Sequence, residues 1–193
     1  KNGPTIFCPP IGHVQRGGDY RESWMPYKLS EEALKSAQYM SDQVTKALTG
    51  YGIWGVEFFL TKKGEVILSE LSPRPHDTGM VTLSHCTNLN EFELHFRAVM
   101  SLAIPVIHLE HSGASAVVLS PVESHESLNY NLADVCSEDR ARVRIFGKTE
   151  AHVGRRMGVV LCYDDVNCNM DSLRDKAKRL AKTVLGTDPY MKR

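Results

Sequence analysis

The sequence has little that would mark a secreted, zinc-stapled or membrane-spanning protein. Its five cysteines, Cys8, Cys86, Cys136, Cys162 and Cys168, are odd in number, scattered and without a C-x-x-C pair. That argues against both a disulfide framework and a zinc site, and makes a reducing cytoplasm the expected setting. No apolar run approaches the roughly 18 residues that cross a bilayer, and the opening KNGPTIFCPP has no signal-peptide layout. Excess charge is missing too. Lys+Arg and Asp+Glu stand at 23 each, so no global field draws nucleic acid or an anionic membrane, and any anion site must be local. Repeats and low-complexity tracts are absent. So is an initiator Met: a chain that runs from Lys-Asn-Gly-Pro straight into a strand-like Thr5-Ile6-Phe7-Cys8 is expected to be cut from something longer, although a tag or processing leaves the same mark.

What is present suffices for a sound core, since 42% of the 193 residues are hydrophobic. Ser30 followed by Glu31 and Glu32 reads as a helix N-cap with an acidic first turn, and Leu34, Ala37, Val44, Ala47 and Leu48 keep a helical period up to Gly50. Residues 53–60 and 65–71 are strand-like and flank Lys62-Lys63-Gly64, which predicts an antiparallel hairpin. Asn90 with Glu93 caps a second helix carrying Phe92, Leu94, Phe96, Val99 and Leu102 and ending before Pro105. A domain boundary is expected at His111-Ser112-Gly113, dividing the chain into 1–111 and 112–193. Beyond it, 116–119, 141–146 and 157–163 read as strands and 171–185 as a basic amphipathic closing helix.

The chemistry concentrates around SELSPRPHDTG, Ser69 to Gly79. If the hairpin turns tightly at Lys63-Gly64, Lys62 faces Glu65, and the same register sets Glu57 directly opposite Glu70. Like charges so placed are destabilising unless something neutralises them. A divalent cation would, and hard carboxylate oxygens suit Mg²⁺. A register displaced by one residue would instead turn one glutamate to solvent, and spacing alone leaves both readings open. Arg74 stands between two prolines that stiffen its loop, so it could present its guanidinium to a phosphate, or pair with a surface acid. His76 is read as a loop organiser. Farther on, Lys148, Arg155 and Arg156 around a glycine-containing turn make either a phosphate cradle or a solvated basic loop.

The runs GDYRESW (Gly18 to Trp24), GYGIWGVEFF (Gly50 to Phe59), SELSPRPHDTGMVT (Ser69 to Thr82), IFGKTE (Ile145 to Glu150) and GRRMGV (Gly154 to Val159) together resemble the formate-dependent phosphoribosylglycinamide formyltransferase family. The resemblance spans nearly the whole chain but only about the C-terminal half of the family's pattern. It implies an α+β fold: the C-terminal lobe of an ATP-grasp domain, with an antiparallel sheet and helices, followed by a small, mainly β domain with a closing helix. The implied reaction makes formyl phosphate from formate and ATP and passes the formyl group to the amine of glycinamide ribonucleotide. The resemblance further implies Glu57 and Glu70 as Mg²⁺ ligands, Arg74 and Asp77 as catalytic groups, Asp77 at the substrate, plausibly its amine, and Lys148, Arg155 and Arg156 on the substrate's phosphate. Many ATP-grasp enzymes carry Asn two positions after the second metal carboxylate; here that position is Ser72, from which no third ligand is expected. A homodimer is implied for the full-length protein. The N-terminal domain, the lid and the adenine-gripping residues have no counterpart, so the chain alone is expected not to catalyse formyl transfer and to need that missing half as a partner.

Two other readings compete. The carboxylating ATPase that acts on aminoimidazole ribonucleotide has a related PRPH motif, but continues it with Asn-Ser where this chain has Asp77-Thr78. A non-catalytic nucleotide-binding or interaction module that kept this half of an ATP-grasp enzyme is the alternative from a different class.

Overall fold

A computed structural model describes residues 3–185. A five-stranded antiparallel sheet, in the order β1-β2-β5-β7-β6, is built from β1 (Gly12–Arg16), β2 (Asp19–Met25), β5 (Ser112–Leu119), β6 (Ala141–Ile145) and β7 (Arg156–Asp164). A separate hairpin, β3 (Gly55–Leu60) and β4 (Val66–Ser72), stands beside it. The helices are α1 (Glu31–Leu48), α2 (Glu91–Val99), the short α3 (Ala133–Ser137) and the closing α4 (Met170–Leu185), with a 3₁₀ helix over Asp77–Ser84. Helices and antiparallel sheets combine in the expected α+β fold. Among the described residues no helix is long and apolar enough to cross a membrane.

The caps are those the sequence announces. Ser30 Oγ accepts the Ala33 N–H at 3.1 Å, and Asn90 with Glu93 forms a reciprocal capping box. The strand expected at Thr5–Cys8 does not form: the stretch is without strand pairing, consistent with Pro4, Pro9 and Pro10 removing ladder donors around it. Two strands, β1 and β2, arise where the sequence announced none. The apolar positions of α2 also depart from expectation: Leu94 is buried, whereas Phe92, Phe96, Val99 and Leu102 are exposed, and the helix ends at Val99 rather than running to Pro105.

The core follows from strand alternation. On one face of the large sheet, Ala114, Ala116 and Val118 of β5 and Val160 and Cys162 of β7 pack against Leu173, Ala177, Leu180, Ala181 and Val184 of α4. On the other, Val159 and Leu161 of β7 meet Met80 of the 3₁₀ helix. β7 is therefore buried on both faces. The boundary expected at 111/112 falls at the start of β5, whose partner β2 comes from the other side of it, pairing Glu22 with Ala116 and Trp24 with Ala114. One sheet thus takes strands from both segments. Glycine is needed at position 113, where a Cβ would overlap Ser84 Oγ, so the 3₁₀ helix lies hard against β5.

Truncating Leu180 to Ala removes a fully buried side chain from the α4 contact, and urea unfolding is expected to show a loss of about 2–5 kcal/mol. A loss of well under about 1 kcal/mol would show that α4 is not locked onto the sheet.

Candidate functional site

The hairpin sets Glu57 directly opposite Glu70, but not by the route expected from its turn. Thr61 donates its N–H to Glu65 O at 2.9 Å, and Gly64, at φ 84°, closes a three-residue loop over Lys62-Lys63-Gly64. Lys62 therefore does not face Glu65. Phe58 pairs with Leu68, one step out of the register expected, and β4 then carries an extra unpaired residue, Ser69, before Glu57 meets Glu70. Such a bulge restores the alternation, so both carboxylates share one face.

Glu57 is buried and Glu70 is more than half exposed. Gln15 Nε2 donates to Glu57 Oε2 at 3.1 Å, and His13 Nε2 lies 3.7 Å from the same oxygen. His13 and Gln15 are alternate residues of β1 and share a face. His76 stands between the two carboxylates, Nδ1 at 3.2 Å from Glu57 Oε1 and Nε2 at 3.8 Å from Glu70 Oε1. Its Nδ1 is also 3.1 Å from Thr78 Oγ1. Although close to His76, Glu57 Oε1 is buried without a hydrogen-bond partner among the described residues. An orphaned carboxylate oxygen facing a second carboxylate is a donor set that fits a hard divalent cation. Among the described residues no group of three or more His, Cys, Asp or Glu could hold a metal ion, so such a cation would take its remaining ligands from water and phosphate. Ser72 donates to Glu70 Oε1 at 3.2 Å, which orients that carboxylate.

The 76–79 turn carries a second charged group. Asp77 is paired with Arg156 at the start of β7, which brings together two residues 79 positions apart in the chain. Lys148 Nζ donates to Arg156 O at 2.7 Å, and its pKa is lowered, first by burial and then by Arg155 and Arg156. Arg155 is half-buried and donates to Glu150 O at 2.6 Å. The three cations thus form one cluster beside Asp77. Arg74 is exposed and donates back to Pro75 O at 2.9 Å, and among the described residues it forms no ion pair.

Two anchors that were not among the residues singled out from the sequence hold the turn. Ser23 Oγ donates to Thr78 O at 2.9 Å and meets Ser115 Oγ at 2.7 Å. Glu91 Oε2 accepts the His76 N–H at 2.9 Å. The signal for Ser23 was the polar break in GDYRESW; Glu91 had none, since an acid at the first position of a helix reads as ordinary capping. A cavity of about 1060 Å³ opens here, with Glu57, Arg74, His76, Thr78 and Glu91 on its wall.

Comparison with known proteins now separates the possibilities. The family described as ATP-grasp domain matches residues 1–92, and the one described as PurT, C-terminal, matches residues 113–184. Fold and site together define an ATP-grasp protein. A formate-dependent phosphoribosylglycinamide formyltransferase of Bacteroides thetaiotaomicron is 60% identical over 185 residues, 95% of this chain and 48% of that protein. Two solved structures match in shape almost equally. An N5-carboxyaminoimidazole ribonucleotide synthetase of Thermotoga maritima gives a TM-score of 0.70 at 29% identity, over 84% of this chain and 44% of that one. A glycinamide-RNase-transformylase T of Mycobacterium tuberculosis gives 0.72 at 29%, over 92% and 45%. Shape does not choose between them; sequence does. Over 95% of its length the chain is similar to formate-dependent phosphoribosylglycinamide formyltransferases, and it spans about half the length of the curated relatives it matches.

Burial raises the Glu91 pKa to about 7, with Asp77 adding to the rise and the His76 N–H and Arg74 opposing it. An acid whose folded pKa is raised contributes stability that is complete below its unfolded value of about 4.5 and is lost as pH climbs through about 7. Glu91→Gln cannot ionise. The stability of the native chain relative to this variant is therefore expected to fall between pH 5 and pH 8 in urea titrations. A pH-independent difference would contradict the burial-driven shift.

Proposed function

We propose that the chain supplies the metal-carboxylate and ribonucleotide sites of an ATP- and formate-dependent transformylase that forms formylglycinamide ribonucleotide. The observation that carries this reading is that one short turn serves both sites: His76 lies between Glu57 and Glu70 while its neighbour Asp77 pairs with Arg156. The proposed substrates are ATP, formate and glycinamide ribonucleotide, and the proposed setting is a cytoplasmic, homodimeric full-length enzyme.

Glu57 and Glu70 would hold Mg²⁺, which supplies charge neutralisation for the triphosphate as its terminal phosphoryl passes to formate. Arg74, exposed and without an ion pair among the described residues, is a cation available to the transferring phosphoryl group. Lys148, Arg155 and Arg156 bind the phosphate of glycinamide ribonucleotide, Arg through paired donors and Lys as a point charge. With the phosphate held there, the amine falls to Asp77. Its carboxylate accepts an amine N–H and keeps the lone pair aimed at the formyl carbon of formyl phosphate. Attack forms the C–N bond as the bond from the formyl carbon to the phosphate oxygen breaks, phosphate departs, and the amine's proton passes to the Asp77 carboxylate. Asp77-Thr78, rather than Asn-Ser, favours formyl transfer over the carboxylating reading.

Isothermal calorimetry tests the assignment on the chain itself. Arg155→Ala is expected to weaken glycinamide ribonucleotide binding by about 1.5–3 kcal/mol, roughly tenfold to over a hundredfold, while leaving ADP binding unchanged. Equal losses for both ligands would make the arginine structural. Binding of ADP with no uptake of glycinamide ribonucleotide would favour the nucleotide-binding module instead.

A further inference from the structure

Glu91 opens α2, yet its carboxyl is turned beneath the 76–79 turn and only 3% of the residue is exposed. The helix does not need it there, because Asn90 and Glu93 already complete the capping box. What the carboxyl does instead is grip the turn. Oε2 accepts the His76 N–H at 2.9 Å. Gly79 lies so close that a Cβ there would overlap the same oxygen. The Glu91 N–H donates to Thr82 Oγ1 at 3.0 Å, and that hydroxyl donates to Gly79 O at 2.7 Å. Both the start and the end of the turn are thus tied to one residue. The other carboxyl oxygen, Oε1, is buried without a hydrogen-bond partner among the described residues. A buried acid with an unsatisfied oxygen disfavours folding, and the turn it holds carries His76 between the carboxylates and Asp77 against Arg156.

We propose that Glu91 is a positioning residue for the reaction: its carboxyl fixes the His76–Gly79 turn so that Asp77 meets the substrate amine and His76 faces the Glu57–Glu70 pair. The proposal rests on the reading of this site as the glycinamide ribonucleotide site. In this proposal Glu91 contacts neither substrate nor cation itself. Its effect passes through the backbone of the turn, where a displacement of about an ångström is enough to cost much of an orienting contact. Gly79 belongs to the same device, since any side chain there pushes the carboxyl off the His76 N–H.

Two readouts on the chain test this, amide hydrogen exchange at His76 and calorimetric binding of glycinamide ribonucleotide. Glu91→Ala is expected to speed His76 exchange by about tenfold or more and to weaken binding by about fivefold or more. Glu91→Gln, which keeps a carbonyl acceptor of the same shape, is expected to stay within about twofold of the native chain on both. Should Glu91→Ala not fold, Gly79→Ala displaces the carboxyl without deleting it and is expected to reproduce both effects. Unchanged His76 exchange in the alanine variants overturns the proposal. So does faster exchange with unaltered affinity, which would leave Glu91 a structural anchor only. A native chain that takes up no glycinamide ribonucleotide overturns the substrate reading itself, a failure set apart because it precedes any substitution.

Discussion

Two carboxylates cannot be set face to face on a β-hairpin without cost, and the arrangement of this site follows from that constraint. Glu57 is buried and Glu70 is its direct cross-strand partner, a placement in which like charges repel. The protein meets part of the cost with Gln15, which donates to one Glu57 oxygen, and with His13 and His76 nearby. It leaves the other Glu57 oxygen without a hydrogen-bond donor. The Ser69 bulge is what makes the opposition possible. Without it the register running from the turn would send Glu70 to the other face of the hairpin. A bulge, a strand face and a turn therefore converge on one pair of oxygens, and a cation is the partner that arrangement fits.

The same turn extends that site to the large sheet. Its outer end is paired to Arg156, and β7, which Arg156 begins, is buried on both faces through Val159, Val160, Leu161 and Cys162. Close-packed strands of this kind do not slide, so the position of Arg156 is set by the core rather than by the loop that precedes it. Ser23 on β2 and Ser115 on β5 add a polar seam beneath Thr78. The β2–β5 pairing matters here, because it joins the segment bearing the hairpin to the segment bearing the three cations. A ribonucleotide bridging Asp77 and Lys148 would then bind to a frame whose span is fixed before it arrives.

Most helix limits were legible, because Ser30, Asn90 and Glu93 are capping residues with a local mechanism. The strands of the hairpin were legible too, but the facing of Glu57 and Glu70 was reached through two departures that cancel. The turn holds three residues instead of two, and the bulge shifts the register back by one. Nothing in Ser69 announces a bulge. β1 and β2 escaped notice because β2, DYRESWM, buries Glu22 and Ser23, so its inward face is not apolar and the alternation is hidden. Glu22 is held instead by Arg174 of α4, at 3.1 Å, whose guanidinium also stacks 3.8 Å from the Trp24 ring centre. Thr5–Cys8 failed in the opposite sense, apolar enough for a strand but flanked by prolines. The meeting of Asp77 with Arg156, and of Gln15 with Glu57, lies beyond any local signal, since each depends on which elements the topology makes neighbours.

If the opposed glutamates form a cation site completed by a nucleotide's phosphates, Mn²⁺ is the direct probe of it. Electron paramagnetic resonance of the chain titrated with Mn²⁺ should show one site that tightens when ADP is added, because two carboxylates alone leave most of the cation's ligands to water and phosphate. In Glu57→Gln that ADP-dependent site should disappear while the far-ultraviolet circular dichroism stays native. If the variant binds Mn²⁺ and ADP as the native chain does, the paired carboxylates are not the metal site and the account fails at its base.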